Sequence, residues 1–288
     1  MHAITIIGCG DIGQRVAKRC QQQSMPVRGM VMTADSAKSL KQQGIEPIRA
    51  NLDEPETLNS ISYSGHTVFY FAPPPRLGNQ DTRMANWLAS MQSDDLPEKV
   101  VLISTTAVYG DTEGNWISEQ SPLNPGTERG LRRLDAERRL FDWAQENSLE
   151  AVILRVPGIY GPGRLPRDRI EKGLPVLNES ECGYTNRIHS EDLAMICMVA
   201  AETAASGEIY NVTDGHPGTM TDWFNQVADF LSLPRPPQIS MQQAEQEMSA
   251  GMLSYLKESR RIDNSKMLKE LNVKLQYETI NKGIAASS

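Results

Sequence analysis

A glycine-rich turn directly after an apolar run constrains the fold of this chain more than any other feature. The run Ala3 to Ile7 is predicted to be a strand, and Gly8-Cys9-Gly10-Asp11-Ile12-Gly13 follows it at the start of a helical segment. In this context Gly8 permits a tight turn, Gly10 lets a diphosphate approach the backbone, and Gly13 allows close helix–strand packing. The motif predicts a dinucleotide-binding loop at a helix N-terminus. The alternative is a glycine turn in an α/β protein without a ligand.

Short β-rich runs alternate with helix-length segments over the first two thirds of the chain, which indicates a parallel sheet covered by helices. The predicted strands are Ala3 to Ile7, Val27 to Met32, His66 to Ala72, Lys99 to Ser104, Ala151 to Val156 and Glu208 to Val212. The predicted helices are Gln14 to Gln22, Asp35 to Gln43, Asp81 to Gln92, Leu131 to Asn147 and Glu191 to Glu202. The fold class that follows is α/β, a Rossmann-type doubly wound parallel sheet.

Prolines interrupt the chain between Pro157 and Pro175, which predicts a loop, and beyond Gly215 helices alternate with proline-rich connections. We therefore expect a small, mainly helical C-terminal lobe beside the sheet domain. The expected dinucleotide-binding domain covers residues 1–163 with 187–215 returning to it, and the lobe covers 164–186 and 216–288.

Composition excludes several classes of protein. The 288 residues include 29 Lys and Arg against 36 Asp and Glu, a net charge of −7, which argues against nonspecific nucleic-acid binding as the main role. The longest nearly uncharged apolar stretch, Leu193 to Ala201, is too short to span a membrane, and Met1 to Cys9 lacks signal-peptide features. The four cysteines show neither metal-ligand spacing nor disulfide density, so we expect a cytoplasmic setting and no metal site.

The end of the second predicted strand bears on the choice of dinucleotide. An acid there favours NAD, because it binds the free ribose hydroxyl, whereas an arginine favours NADP. Thr33, Ala34 and Asp35 occupy this end, and Asp35 lies 22 residues beyond Gly13. Asp35 therefore favours NAD, but it is equally suited to cap the following helix.

A second motif, Ser104-Thr105-Thr106-Ala107-Val108-Tyr109-Gly110-Asp111, follows a buried strand. Ligands bind at this end of open parallel sheets, where hydroxyls can hold a substrate oxygen. The alternative is that these hydroxyls only cap the strand and its turn.

Taken together, the two motifs and three later ones resemble the extended short-chain dehydrogenase/reductase family, the NAD-dependent epimerase/dehydratase group. The later motifs are Arg155-Val156-Pro157-Gly158-Ile159-Tyr160-Gly161-Pro162-Gly163, Ile188-His189-Ser190-Glu191-Asp192-Leu193-Ala194 and Ile209-Tyr210-Asn211-Val212. The resemblance extends from Ile4 to about Val212. It implies a Rossmann fold, NAD or NADP as cofactor, a lobe covering a small, often sugar-like substrate, and a possible homodimer.

The resemblance also implies roles for individual residues. Gly8, Gly10 and Gly13, with the intervening Asp11 and Ile12, match the cofactor loop, and Asn51-Leu52 matches the pair beside the adenine. Ala72 and Pro73 match a segment that lines the cofactor, Pro157 matches a residue near the nicotinamide, and Thr105 matches the catalytic Ser/Thr. We add Thr33 and Ser104, at two strand ends, to the predicted cofactor contacts.

The chain departs from the family at its acid–base pair. Alignment on Ala136-Glu137 places Arg129 at the family's tyrosine and Arg133 at its lysine, and an arginine stays protonated, so it is a poor general base. The two arginines share a helix face and could bind the cofactor ribose or an anionic substrate. The alternative is an Arg-rich solvated face paired with Asp135 and Glu137. In addition, Thr106-Ala107 replaces the acidic pair of sugar-nucleotide dehydratases, which disfavours that reaction.

Other candidates are weaker. We interpret Arg132, Arg138 and Arg139 as solvated, and Arg164 and Arg187 as either substrate clamps or exposed residues. His189 is predicted to make a structural hydrogen bond before a helix capped by Ser190. Substitute phenols for the missing tyrosine are Tyr109, Tyr160 and Tyr184, each with burial as the simpler role, so that the predicted catalytic set is Thr105, Arg133 and Tyr109.

Two functions remain open from the sequence. The first is an oxidoreductase or epimerase-like enzyme that acts on a hydroxyl or keto group of a sugar-like substrate, with Thr105 orienting the oxygen. The second is a non-catalytic NAD(P)-binding sensor or scaffold that has lost the acid–base pair, an idea motivated by Arg129 and Arg133.

Overall fold

Strands and helices alternate along residues 3–287, the part of the chain that the computed structural model describes. The strands are β1 Ala3–Ile7, β2 Val27–Val31, β3 Glu46–Arg49, β4 His66–Tyr70, β5 Lys99–Thr105, β6 Trp116–Ile117, β7 Glu150–Val156, β8 Gly158–Tyr160, β9 Val176–Leu177, β10 Tyr184–Thr185, β11 Arg187–His189, β12 Ile209–Asn211, β13 Gly218–Thr219, β14 Gln238–Ile239 and β15 Arg261–Ile262. The helices are α1 Asp11–Gln22, α2 Ala34–Gln42, α3 Thr82–Ala89, α4 Glu128–Glu146, α5 Arg167–Glu171, α6 Ser190–Thr203, α7 Met220–Phe230, α8 Met241–Glu247, α9 Ala250–Leu256, α10 Ser265–Glu270 and α11 Ile280–Ala285.

Seven parallel strands form the central sheet in the order β12-β7-β5-β4-β1-β2-β3. The order reverses between β1 and β4, and a ligand site is expected in the crevice at such a switch point. The Rossmann-type doubly wound sheet is confirmed, and its strands include all six predicted ones.

The seventh strand, β3, was missed because its sequence does not resemble a strand. It contains Pro47, which pairs with Gly29 of β2 at the outer edge of the sheet. Because a proline has no N–H to donate, it is tolerated in an edge strand, where one side of the strand has no partner. In the sequence alone, a proline therefore argues against a strand.

Helices cover both faces of the sheet. On β5, Val101 and Ile103 pack in the layer that contains α1 and α6, whereas Val100 and Leu102 pack in the layer that contains α3 and α4. Both sets of side chains are buried, which explains why the β5 sequence lacks polar alternation.

The segment after Gly215 is mainly helical, as predicted, with α7 to α11 and short two-residue strands. Trp223, Phe224 and Val227 of α7 pack with Ile284 of α11 in a separate apolar cluster. The division into the two sets of residue ranges given above stays a prediction. Among residues 3–287, every helix is too short or too polar to cross a lipid bilayer.

Several local predictions were wrong. The stretch from Pro157 to Pro175 contains β8 and α5, because β8 pairs with β11 and is thereby held in regular structure. On α4, Arg132 is buried instead of solvated, with its guanidinium donating to the Gly78 carbonyl.

Two predicted helix caps are also corrected. Thr33 caps α2 by accepting a hydrogen bond from the Ser36 N–H at 3.2 Å, and Asp35 lies exposed inside the first turn. His189, rather than Ser190, caps α6, because its Nδ1 accepts from the Glu191 N–H at 3.2 Å.

Candidate active site

The turn after β1 has the shape that close approach of a ligand requires. Gly8 has φ +81°, and a Cβ there would lie 2.6 Å from the backbone nitrogen of Ala72, so only glycine fits. A Cβ at Gly13 would lie 3.0 Å from Ile6 Cγ2, which reflects the close packing of α1 on β1. A Cβ at Gly10 would meet no heavy atom within 4 Å. The space in front of Gly10 is therefore open at the N-terminus of α1.

Asp11 puts a negative charge beside this open space, but two arginines neutralise it. Its carboxylate accepts from Arg15 Nε at 3.0 Å and from Arg164 Nε at 2.5 Å. The neighbouring Ile12 is buried against the sheet. Because Asp11 is paired, the positive end of the α1 dipole remains available to an anion.

A cleft of about 200 Å³ opens beside Gly8 at the carboxyl ends of β1, β2 and β4. Its lining includes five predicted cofactor residues, Gly8, Asn51, Leu52, Ala72 and Pro73. Met32 lines the cleft, whereas the predicted contact Thr33 lies outside this lining and caps α2.

Arg83 forms one side of the same cleft. It pairs with Asp53 at 2.6 Å, which lowers the pKa of that carboxyl, and donates to the Pro73 carbonyl at 3.1 Å. Through these two contacts Arg83, in the first turn of α3, connects the loop after β3 to the loop after β4, so both walls of the cleft are held in place.

A larger cavity of about 490 Å³ lies at the carboxyl ends of β5 and β7. It brings together the sequence-predicted residues Ser104, Thr105, Arg129, Arg133, Pro157, Arg164, Tyr184 and Arg187. Four further lining residues come from the segment after Gly215: Met220, Tyr255, Glu258 and Arg260. The cavity therefore joins the sheet domain to the segment that contains α9.

Thr105 presents a hydroxyl to this cavity. Its Oγ1 accepts a hydrogen bond from the Ala107 N–H at 3.2 Å, and the side chain is half-buried. Because the oxygen already accepts, the hydroxyl proton is left to donate to a ligand oxygen. Ser104 lines the cavity as well, but its Oγ donates to Glu137 Oε1 at 2.5 Å and is used within the fold.

Tyr109 lies outside the cavity lining, contrary to its proposed catalytic role. It is buried, and its hydroxyl donates to Asn211 Oδ1 at 2.8 Å and accepts from Arg155 Nη1 at 3.0 Å. Burial raises the pKa of Tyr109, which opposes proton release. Its role is to connect β7 to β12.

Arg133 stands between the cleft and the cavity. It lines the cavity, and its Nη1 donates to the Ala72 carbonyl at 3.2 Å in the wall of the cleft. Burial lowers the pKa of Arg133, although the nearby Asp81 opposes this shift. Arg129, one turn earlier, lies with its guanidinium carbon 3.9 Å from the centre of the Tyr255 ring.

The remaining candidates are structural. His189 is fully buried and stacks on Tyr277 at 3.8 Å, and burial lowers its pKa to about 4. Tyr160 is buried against His189 and Trp223, away from the cavity lining. Cys9 is buried with its pKa raised to about 12, so it is not a nucleophile. Across residues 3–287, His, Cys, Asp and Glu side chains form no cluster that could hold a metal.

Tyr255, Glu258 and Arg260 were missed from the sequence. They lie about 150 residues beyond Thr105 and carry no motif, and they reach the cavity only because Arg260 donates to the Gly110 carbonyl and Thr112 Oγ1 to the Ser259 carbonyl. No local pattern marks contacts of this sequence separation.

Comparison with known proteins agrees with this geometry. The model of the NAD dependent epimerase/dehydratase family matches residues 4–213, and the chain belongs to that family. Protein YeeZ of Escherichia coli K12 is 27% identical over 288 residues, covering 96% of this chain and 97% of YeeZ.

Solved structures show the same architecture. A conserved protein of unknown function from Silicibacter pomeroyi is 26% identical with a TM-score of 0.84, covering 99% of this chain and 98% of that one. UDP-glucose 4-epimerase from Thermotoga maritima, solved with UDP-glucose, is 17% identical with a TM-score of 0.81 and shares the fold over 99% of this chain and 97% of its own.

Proposed function

We propose that the protein is an NAD(P)-dependent oxidoreductase or epimerase-like enzyme that acts on a hydroxyl or keto group of a small, sugar-like substrate. The observation that carries this proposal is the Arg133–Ala72 hydrogen bond, which connects the wall of the cofactor cleft to the cavity that holds Thr105. A cofactor that extends from the cleft past Ala72 would reach the Thr105 hydroxyl.

The residues present fit a dinucleotide. The open space at Gly10 and the N-terminus of α1 suit the diphosphate, and the apolar side chains of Met32, Ala50 and Leu52 suit an adenine. When bound, NAD or NADP supplies reversible hydride exchange with the carbon that bears the oxygen. The chain supplies placement and proton transfer.

In this proposal Thr105 donates its hydroxyl proton in a hydrogen bond to the substrate oxygen. That bond strengthens as negative charge develops on the oxygen, so it favours the transition state over the ground state. The Ala107 N–H fixes the orientation of Thr105 Oγ1 and favours a hydroxyl that points towards the cavity.

Tyr255 is the phenol that we propose as the proton donor in place of the family's tyrosine. Tyr184 and Tyr255 both line the cavity. The cation on the Tyr255 ring, Arg129, itself lines the cavity, whereas the cation on the Tyr184 ring, Arg261, does not. The Arg129 guanidinium carbon, 3.9 Å from the ring centre, holds the Tyr255 ring against this wall of the cavity.

A second candidate function is a non-catalytic NAD(P)-binding sensor. It is favoured by the arginines at positions 129 and 133, which cannot exchange protons near neutral pH. The two functions differ in hydride transfer, because a sensor binds the cofactor without exchanging its C4 hydrogen.

The experiment is a reduction assay with NADH and NADPH, each deuterated at the 4-pro-R or the 4-pro-S position, over a panel of keto sugars and nucleotide sugars. The proposal predicts stereospecific deuterium transfer, and a loss of about 100-fold in kcat for Thr105→Ala. Cofactor binding without any transfer would contradict the enzyme and support the sensor.

We also propose a cytoplasmic location, in keeping with cysteines that are free throughout residues 3–287. A homodimer and the absence of a nucleic-acid partner stay predictions from the sequence.

A further inference from the structure

Arg129 and Arg133 lie four residues apart on one face of α4 and both line the cavity that contains Thr105. Side chains at this spacing are neighbours, so two positive charges face the same space. Such an arrangement repels itself unless an anion lies between or in front of the two groups.

The three carboxylates of α4 that are nearest in sequence to these arginines pair with other cations. Glu128 pairs with Arg132 at 3.5 Å, Asp135 with Arg139 at 2.7 Å and Glu137 with Arg155 at 2.7 Å. Within residues 3–287, Arg129 and Arg133 make no ion pair shorter than 4 Å.

Two of the other cations of the cavity are already paired. Arg164 pairs with Asp11 at 2.5 Å, and Arg260 pairs with the buried Glu258. Arg187, which also lines the cavity, is buried without an ion pair among the described residues; its Nη1 donates to Thr185 Oγ1 at 3.0 Å. Within the described part of the chain, the cavity therefore contains two paired arginines and three without an ion pair, of which Arg129 and Arg133 share one helix face.

Of the two arginines on this helix face, Arg133 has the greater need of an anionic partner. The one hydrogen bond that its guanidinium makes in the described part of the chain goes to a neutral acceptor, the Ala72 carbonyl, and burial lowers its pKa. A half-buried cation with no carboxylate within ion-pair distance is costly, even though Asp81 lies nearby. The other guanidinium N–H groups of Arg133 have no acceptor among the described residues, so they are free to donate to a ligand. A neutral hydroxyl would accept one bond but would not offset the charge.

We propose that Arg129 and Arg133 bind an oxyanion of the substrate, a carboxylate or a phosphate, close to the carbon whose oxygen Thr105 holds. The placement beside the reacting carbon rests on the proposed function, whereas the oxyanion site itself does not. A guanidinium donates two parallel hydrogen bonds to such a group, so the site selects acidic substrates over their neutral counterparts.

The test is calorimetric titration of the full-length protein, saturated with NAD⁺, with malonate, inorganic phosphate and the neutral malonamide. We expect malonate or phosphate to bind and malonamide not to bind. Arg129→Gln and Arg133→Gln should each weaken binding about tenfold or more. Binding of malonate alone identifies a carboxylate site, and binding of both identifies a general oxyanion site.

Arg138→Gln is the matched control, because Arg138 is exposed on the same helix and outside the cavity lining. It should leave binding unchanged. Arg133→Lys serves where Arg133→Gln does not fold, and it should still weaken binding because a lysine cannot donate a bidentate pair. Absence of oxyanion binding, or equal affinity in all four variants, would overturn the inference. A separate measurement of NAD⁺ affinity distinguishes the two failures: if NAD⁺ binds but no oxyanion does, only the oxyanion site is wrong, and if NAD⁺ does not bind, the proposed function is wrong.

Discussion

Arg155 and Glu137 form an ion pair with Nη2 and Oε2 2.7 Å apart, directly beneath the end of β5. Both side chains are buried, with 2% and 4% of their surface exposed. The pair also holds Ser104 and Tyr109, through Glu137 Oε1 and Arg155 Nη1. The floor of the proposed active site is thus a polar network rather than an apolar layer.

Breaking this pair should destabilise the protein strongly. Arg155→Met leaves Glu137 buried without a cation, so we expect the free energy of unfolding to fall by about 3 to 5 kcal/mol. Urea denaturation followed by tryptophan fluorescence measures this change. Arg139→Met, which removes a more exposed ion pair on the same helix, should cost less than about 1 kcal/mol. Similar losses in the two variants would contradict the buried network.

Substitutions at two glycines of the proposed cofactor loop should have different effects, one on stability and the other on NADH affinity. Gly8→Ala forces a Cβ against the Ala72 backbone at positive φ, so it should destabilise the fold by at least about 1 kcal/mol. In Gly10→Val the added side chain enters open space, so the free energy of unfolding should fall by less than about 1 kcal/mol. The same side chain should weaken NADH binding about tenfold or more, because it occupies the space proposed for the diphosphate. Urea unfolding and NADH fluorescence titration separate the two effects. Unchanged NADH affinity in Gly10→Val would show that no diphosphate approaches there.

The Asp11–Arg164 pair should act on cofactor affinity. Arg164→Gln leaves the Asp11 carboxylate only partly neutralised beside the proposed diphosphate site, so NADH should bind about three- to tenfold more weakly. The double variant Asp11→Asn/Arg164→Gln should recover most of this loss. A double variant as weak as Arg164→Gln alone would instead mean that Arg164 contacts the cofactor directly.

Tyr255→Phe should lower kcat about 100-fold or more if its phenol donates the proton, while the affinity for NADH stays unchanged. Tyr184→Phe is the matched control, since Tyr184 lines the same cavity but stacks with Arg261. Steady-state kinetics with a substrate from the deuterium assay provides the measurement. Equal effects of the two substitutions would contradict the assignment to Tyr255.

His189 should make stability depend on pH. Its folded-state pKa of about 4 lies below the ordinary value of 6.5, so the unfolded chain takes up the proton first as the pH falls. Its contribution is complete above pH 6.5 and is lost between pH 6.5 and 4. His189→Asn keeps an acceptor for the α6 cap but does not titrate. The stability difference between wild type and variant should shrink by about 1 to 2 kcal/mol from pH 7 to pH 5 in urea denaturation. A constant difference would contradict the shift.

The sequence predicted the parts of the molecule that local patterns control. Glycine spacing after β1 and the apolar sequence of β5 follow from backbone geometry and burial within single elements. The edge strand β3 was not predicted because it contains Pro47. The burial of Arg132 was not predicted because it depends on the Gly78 carbonyl, 54 residues away in the sequence. The contribution of Tyr255 to the cavity likewise depends on how the C-terminal segment packs, which no short motif encodes.

A crystal structure of the protein grown with NADH tests the proposed cofactor site most directly. We predict the diphosphate at the N-terminus of α1 in front of Gly10, the adenine between Asn51 and Ala72, and the nicotinamide beside Thr105 and Pro157. A structure in which abundant NADH leaves this cleft empty, or binds with its nicotinamide away from Thr105, would contradict this prediction.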